Sequence, residues 1–480
     1  MPAMNNRNRW LALIVLCLGD LMIVLDTTIV NVALPSIRSD LGFSQTSLAW
    51  VVNAYLLTFG GFLLLGGRLG DLFGARRLFL AGISLFTISS LACGLSTTQG
   101  MLVGARAVQG VGGAVVSAVA FSLILNLFTD GTDRAKAMGF FGFVMSGGGT
   151  IGVLLGGVLT DVLTWHWIFL VNLPIGVLVI GLSLRLLPGG SGFAHGKVDV
   201  AGAVAVTASL MLAVYAIVNG NNEGWTSART LGLLGCAVVL LAGFLVLESR
   251  VASPLMPLRI FKLRNVATAN VAGILWSAAM FAWFFLVALY LQLVLHYSPL
   301  KVGLAFLPAN LIMGVFSIGL SARLVMRFGI KRPLSVGLLL AAAGLVLFAH
   351  APVGGSFALD VLPGMVLGGL GAGAAFNPML LGATSGVPQE ESGLASGVVN
   401  TAFMMGGALG LAVLASVAAS RTDSLRGSGD GPLQALVGGY HVAFLVGAAF
   451  AAAAALAGAV GFRVEEPAGA HVHSEAVFES

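Results

Sequence analysis

The chain has 480 residues, of which 58% are hydrophobic and only 9% charged, with a formal net charge of +5. Soluble domains carry about 25% charged residues, so this composition excludes a water-soluble globule and indicates a polytopic membrane protein. The positive excess follows the loops between apolar runs, which leaves no basic surface to argue for a nucleic-acid partner.

Runs of ~17–25 apolar residues mark membrane helices. They predict fourteen spans near residues 10–32, 48–66, 78–96, 100–125, 138–160, 167–187, 199–219, 230–247, 266–294, 302–322, 334–349, 361–381, 395–419 and 440–462. The first run is too long for a signal-peptide core and no small-residue cleavage pattern follows it, so it is read as a helix. Cys17, Cys93 and Cys236 all lie in apolar runs and read as small buried hydrophobes rather than a disulfide framework. The 66 glycines fit helices that pack closely in lipid.

Span 1 contains `CLGDLMIVLDTTIVNVALP`, residues 17–35, with two carboxylates, Asp20 and Asp26. A charge at mid-bilayer costs at least ~2.5–3.5 kcal/mol, so such residues face a bundle interior or water. Six residues of regular helix turn the two acids about 120° apart and separate them by ~9 Å. One is expected toward a central cavity and the other toward a flanking helix. Span 4 carries Arg106, the clear deep cation. It needs carboxylates, amides or a water path, and a cation beside a carboxylate favours the ionised acid while burial opposes it. Thr27, Thr28 and Asn31 are alternative partners for Asp26. In span 5, Gly148, Gly152 and Gly156 recur every four residues and share one helical face, followed by Gly157.

Basic residues cluster in alternate loops: Arg7 and Arg9; Arg68, Arg76 and Arg77; Arg134 and Lys136; Arg250, Arg259, Lys262 and Arg264; Arg323, Arg327, Lys331 and Arg332. By the positive-inside rule both termini are cytoplasmic. `GRLGDLFGARR` at 67–77 matches `ARLVMRFGIKR` at 322–332, a shift of 255 residues with five of eleven positions identical. Both follow the second span of a six-span unit if spans 7 and 8 are inserted between units. The expected organisation is a cytoplasmic N-terminus (1–9), a six-helix bundle (10–187), a linker (188–198), an inserted helix pair with its loop (199–265), a second six-helix bundle (266–462) and a cytoplasmic tail (463–480). Repeated halves around a midplane site are the architecture of secondary transporters.

Substrate-facing candidates are amides, aromatics and methionines inside spans: Asn53 and Tyr55; Trp276, Trp283 and Phe284, followed by Gln292; Asn310; Asn377; and Asn400 with Met404 and Met405. Such a lining binds amphiphiles through contact area with few directional contacts. Spans 9 to 14 have no Asp or Glu in their apolar cores, which disfavours a dication needing an acid from each half.

On these stretches the chain resembles the major facilitator superfamily from about residue 10 to 462, specifically its fourteen-span drug:proton antiporter branch of the QacA/EmrB type. `LDTTIVNVALP` (25–35) is similar to the branch's first-helix signature, `GRLGDLFGARR` to the superfamily's loop motif, and `RAVQGVGGA` (106–114) to its fourth-helix motif. `WHWIFLVNLPIG` (165–176) resembles the start of the branch's sixth span, with His166 where an arginine is usual. The resemblance implies an all-helical transporter, not an enzyme, monomeric in the bacterial cytoplasmic membrane and without metal or cofactor. It implies proton-driven efflux of lipophilic drugs by alternating access, with Asp26 and Arg106 as coupling residues; Asp20 lies outside the signature and is read from its membrane position as a further coupling or cation-binding acid. Gly67, Asp71, Gly74, Arg76 and Arg77 would form a conformational latch, one-sided because Met326 replaces the acid in the second copy. Gly148, Gly152, Gly156 and Gly157 fall on the antiporter-motif helix, but Val153 stands at its usual proline. That departure keeps a proton symporter importing a small metabolite as the alternative. No Gly-Lys-Ser/Thr tripeptide, His-Glu-x-x-His or Gly-x-Ser-x-Gly occurs, which argues against an ATP-driven pump, a metalloprotease and a serine hydrolase.

Overall fold

A computed structural model of the chain describes residues 6–128, 130–188, 199–251, 254–388 and 391–463. Its apolar helices are α1 (Asn6–Leu41), α2 (Trp50–Phe73), α3 (Ala75–Gly94), α4 (Gln99–Leu127), α5 (Gly131–Val162), α6 (Trp167–Leu186), α7 (Val200–Glu223), α8 (Ala228–Arg250), α9 (Arg264–Val294), α10 (Pro299–Val315), α11 (Lys331–Phe348), α12 (Phe357–Thr384), α13 (Ser392–Gly427) and α14 (Pro432–Gly461). There is no strand among the described residues. The predicted linker and C-terminal tail fall almost wholly outside the described residues.

Local chemistry sets several helix starts. Thr98, Asp199, Ser227 and Ser298 each accept a hydrogen bond from a backbone N–H three residues on, satisfying a donor the first turn would leave free. Among the described residues, thirteen helices are long and apolar enough to cross a membrane. The tenth predicted span, 302–322, differs: α10 stops after 17 residues at a π-helical turn, Phe316–Leu320. Gly319 sits there at φ 137°, which a residue without Cβ adopts freely. A short helix, Ser321–Phe328, carries the chain onward.

The helices fall into two groups of six with a pair beside them. In α1–α6, α4 packs on α2 and α3, and α1 packs on α5; in α9–α14, α11 packs on α12 and α14, and α9 on α13 and α14. The groups meet along two seams, α5 against α10 and α2 against α13. The α7–α8 pair attaches through α7, which lies against α2 and α13. Backbones come very close at the α5–α10 seam: a Cβ on Gly157 would sit 2.8 Å from the Pro299 carbonyl oxygen.

The sequence repeat has a conformational counterpart. Gly74 follows α2 at φ 95° and Gly329 ends the short helix at φ 72°. Each donates its N–H four residues back, Gly74 to the Gly70 carbonyl at 3.0 Å and Gly329 to that of Val325 at 2.8 Å. The shared glycine of the two copies closes the same kind of helix end.

Candidate coupling and substrate site

Asp26 of α1 and Arg106 of α4 are fully buried and paired, Arg106 Nη1 donating to Asp26 Oδ2. Three further helices and Gln109 of α4 complete the arrangement. Arg106 Nε donates to the Val51 carbonyl of α2 at 2.9 Å, and Nη1 also donates to Gln109 Oε1 at 2.6 Å. Gln109 Nε2 in turn donates to Asp26 Oδ1 at 2.7 Å and to Ser90 Oγ of α3 at 2.8 Å. Asn172 Nδ2 of α6 donates to Asp26 Oδ1 at 3.2 Å. The Tyr55 ring lies 4.3 Å from the guanidinium carbon and Phe169 5.6 Å from it, so the cation also meets two aromatic faces. Thr27, Thr28 and Asn31 are turned back on backbone carbonyls of α1 and do not cap Asp26. Each ion is thereby compensated by opposite charge and by hydrogen bonds, the condition for burying a pair at all.

Gln109, Ser90 and Asn172 escaped the sequence reading, although Gln109 and Asn172 both lie in the quoted motif stretches. The available signal was spacing: Gln109 is three residues after Arg106, hence on the same helical face.

Asp20 is also fully buried, and Ser117 Oγ of α4 donates to its Oδ1 at 2.7 Å, while Oδ2 has no partner. Expectation had put Asp20 toward a different helix from the one Asp26 sees. Both acids instead meet α4, because α1 and α4 touch near Gly19, where a Cβ would lie 3.6 Å from Val116, whereas Arg106 reaches Asp26 by its length.

The glycines of α5 do share one face, as their spacing predicts, and that face packs on α1. Added Cβ atoms at Gly148, Gly152 and Gly156 would collide with Leu21, Thr28 and Ile29 respectively. Gly157 meets α10 instead. Val153 is buried, and α5 runs through it as one continuous helix. In the loop motif, Gly67 lies loosely near Ala118, Arg76 donates to the Leu184 carbonyl, and Arg77 is exposed. The Asp71 side chain lies outside the described residues. Met326 is 80% exposed.

The proposed substrate residues do not converge on one open chamber. Trp276 and Trp283 line a narrow cleft in α9–α14 with Gly344 and Gly368, and the Trp276 indole N–H is buried without a partner. Phe284 stacks on Phe306 at 5.4 Å and lies 4.7 Å from Trp283. Gln292 Nε2 bridges the two helix groups by donating to the Val32 carbonyl at 2.8 Å. Asn400 Nδ2 is turned onto its own helix at Ser396. Met404 faces Gly60 of α2 across the seam. Asn310 is buried, Asn377 half-buried, and Asn53 is buried with both amide atoms unpartnered.

The Major Facilitator Superfamily model matches residues 16–411. The chain is 39% identical over 449 residues to the puromycin resistance protein pur8 of Streptomyces alboniger, covering 92% of this chain and 89% of that protein. It is also 39% identical over 415 residues to the cephamycin export protein CmcT of Amycolatopsis lactamdurans, covering 86% of this chain and 85% of that one. Among solved structures, a bacterial homolog of the human lysosomal transporter Spinster, in an inward-facing and unoccupied conformation, superposes with a TM-score of 0.68 at 16% identity, covering 95% of this chain and 98% of that one. At that identity the likeness speaks to the fold alone.

Proposed function

The chain belongs to the major facilitator superfamily, and on that premise we propose that it is a monomeric drug:proton antiporter of the fourteen-span branch, expelling lipophilic antibiotics or similar molecules across the bacterial cytoplasmic membrane. Two relatives matched over most of their length are named for resistance to, or export of, an antibiotic, which supports both the direction and the kind of cargo. Both termini are taken as cytoplasmic from the basic loops.

The observation that carries proton coupling is the buried Asp26–Arg106–Gln109 arrangement. It sits in α1–α6, and the helix that accepts from Arg106, α2, also forms the seam with α13. In the resting pair Asp26 is an anion held by Arg106 and two amides. Protonation would neutralise it and end the ion pair, leaving the guanidinium bonded to the Val51 carbonyl of α2 and to Gln109 of its own helix. A proton arriving at Asp26 thus weakens the α1–α4 link and leaves Arg106 tied to α2, the helix that borders the α13 seam. That is what coupling requires: two conformations whose relative free energy depends on one proton. The loop motif at Gly67–Arg77 is proposed as the latch between states, acting mainly on the first copy.

The test is cellular. Cells with the protein should accumulate less of a lipophilic drug or dye than cells without it, and a protonophore should abolish the difference. Unchanged efflux after the proton gradient is collapsed, with ATP kept high, would contradict secondary transport; protonophore-sensitive uptake in place of efflux would favour a symporter.

A further inference from the structure

Asn53 of α2 stands apart from the buried network around Arg106. It is fully buried, and neither its Oδ1 nor its Nδ2 has a hydrogen-bond partner. Its direction can be read from its neighbours on the helix. Asn53 is seven residues before Gly60 and eleven before Leu64, which on a helix of ~100° per residue puts it between them, about 20° from each. That face meets α13: a Cβ on Gly60 would lie 3.1 Å from Met404 Cβ and 3.3 Å from the Thr401 carbonyl oxygen, and Leu64 fills the space beside Gly397. Asn53 therefore faces the seam between the two helix groups, about 10 Å from Gly60 toward the start of α2. Its height is that of the charged centre, because Val51, two residues away, accepts the bond from Arg106 Nε. On α13, Thr401 Oγ1 is likewise buried and unpartnered.

A buried carboxamide with both atoms unpaired is disfavoured relative to an apolar residue of the same shape. A fold that retains one at a seam between moving parts has another state in which it is paired. When the seam opens, Asn53 meets water or a bound molecule.

We propose that Asn53 reads the substrate, and that the substrate is a lipophilic molecule presenting an acceptor and a donor on one edge, such as a lactam, a primary amide or an aminoheterocycle. The Asn53 carboxamide offers one N–H donor edge beside one carbonyl oxygen, so a complementary edge closes two hydrogen bonds together. The group is neutral and sets no requirement on the net charge of the molecule. Its position two residues from Val51 places the bound edge beside the helix segment that Arg106 holds, so recognition and the proton site share one stretch of α2. This rests on the efflux reading and adds the class of molecule to it.

The experiment uses a matched pair of fluorescent lactam probes, 2-quinolone and 1-methyl-2-quinolone, which differ in one N–H on the edge that carries the carbonyl. Protonophore-sensitive efflux and binding to the purified protein are measured for wild type, Asn53→Leu and Asn53→Gln. Wild type should favour the unmethylated lactam by about tenfold in KM and in binding, the scale of a hydrogen-bonding edge left unpaired. Asn53→Leu should erase the preference while still transporting the methylated compound, and should melt at a higher temperature because the unpaired amide is gone. Asn53→Gln should keep part of the preference. A preference that survives Asn53→Leu, or no preference in wild type, overturns the assignment. Absence of protonophore-sensitive efflux of both probes contradicts the efflux reading instead, and the binding comparison still decides on Asn53.

Discussion

The two helix groups share a scaffold but bury different chemistry. α1–α6 enclose Asp20, Asp26 and Arg106, with Gln109 and Asn172 beside the pair, all buried. Among the described residues, α9–α14 bury no charged side chain, while both groups enclose aromatics: Tyr55, Phe79, Phe86 and Phe169 in the first, Trp276, Tyr290, Phe285, Phe306, Phe348 and Tyr440 in the second. Yet both groups carry the same basic loop, closed by a glycine at positive φ. The difference teaches that the two copies keep one helix-ending turn while the interiors around them differ in charge. Under the proposed function, the first group holds the charge that a proton changes.

The strongest way to break this comparison is at Arg106. Arg106→Ala leaves Asp26 buried beside two amides with no cation, so it should abolish transport and destabilise the purified protein by about 3–5 kcal/mol, the cost of orphaning a buried charge. Thermal unfolding in detergent checks the second part. A melting temperature equal to wild type would mean that Asp26 is held neutral and the pair is not ionic.

A smaller effect separates the two copies of the loop. Asp71→Ala should slow efflux by roughly 5- to 150-fold, the span of typical conformational couplings, without loss of membrane-inserted protein. Met326→Ala should leave the rate within about twofold, since exposed substitutions away from special features are close to neutral. Initial efflux rates normalised to protein amount decide this, and equal tolerance would reduce the motif to charge-based topology.

The smallest effect should be the same on both sides. Gly74→Ala and Gly329→Ala each force a Cβ into a left-handed backbone, at a cost of about 1–2 kcal/mol. Unfolding measurements should show losses of similar size; a loss at Gly74 alone would mean that the second copy has relaxed away from its turn.

Much of this was legible in the residues. Run lengths located the spans because lipid demands ~20 apolar residues per helix, and the loop repeat was readable because charge and glycine are scarce in such a chain. Asp26 and Arg106 stood out for the same reason. What the residues did not disclose was partnership. Gln109, Ser90 and Asn172 are single polar residues in apolar runs, and which of them converge depends on how four helices cross. The angle between Asp20 and Asp26 was computed for one isolated helix, whereas α4 passes close enough to reach both. The early end of α10 was hidden because its composition stays apolar through Phe316 and Ile318, while the break depends on the backbone freedom of Gly319.

The account rests on Asp26 as the site that exchanges the coupling proton. Substrate-induced proton release from purified protein in a weakly buffered solution, compared between wild type, Asp26→Asn and Asp20→Asn, tests this directly. Wild type should release protons when a transported drug is added. Asp26→Asn, which removes the titratable group at almost constant shape, should still bind a neutral drug but release none; Asp20→Asn should retain release with neutral drugs and lose affinity for cationic ones. Undiminished release from Asp26→Asn would contradict the account and move the coupling site to Asp20 or out of α1.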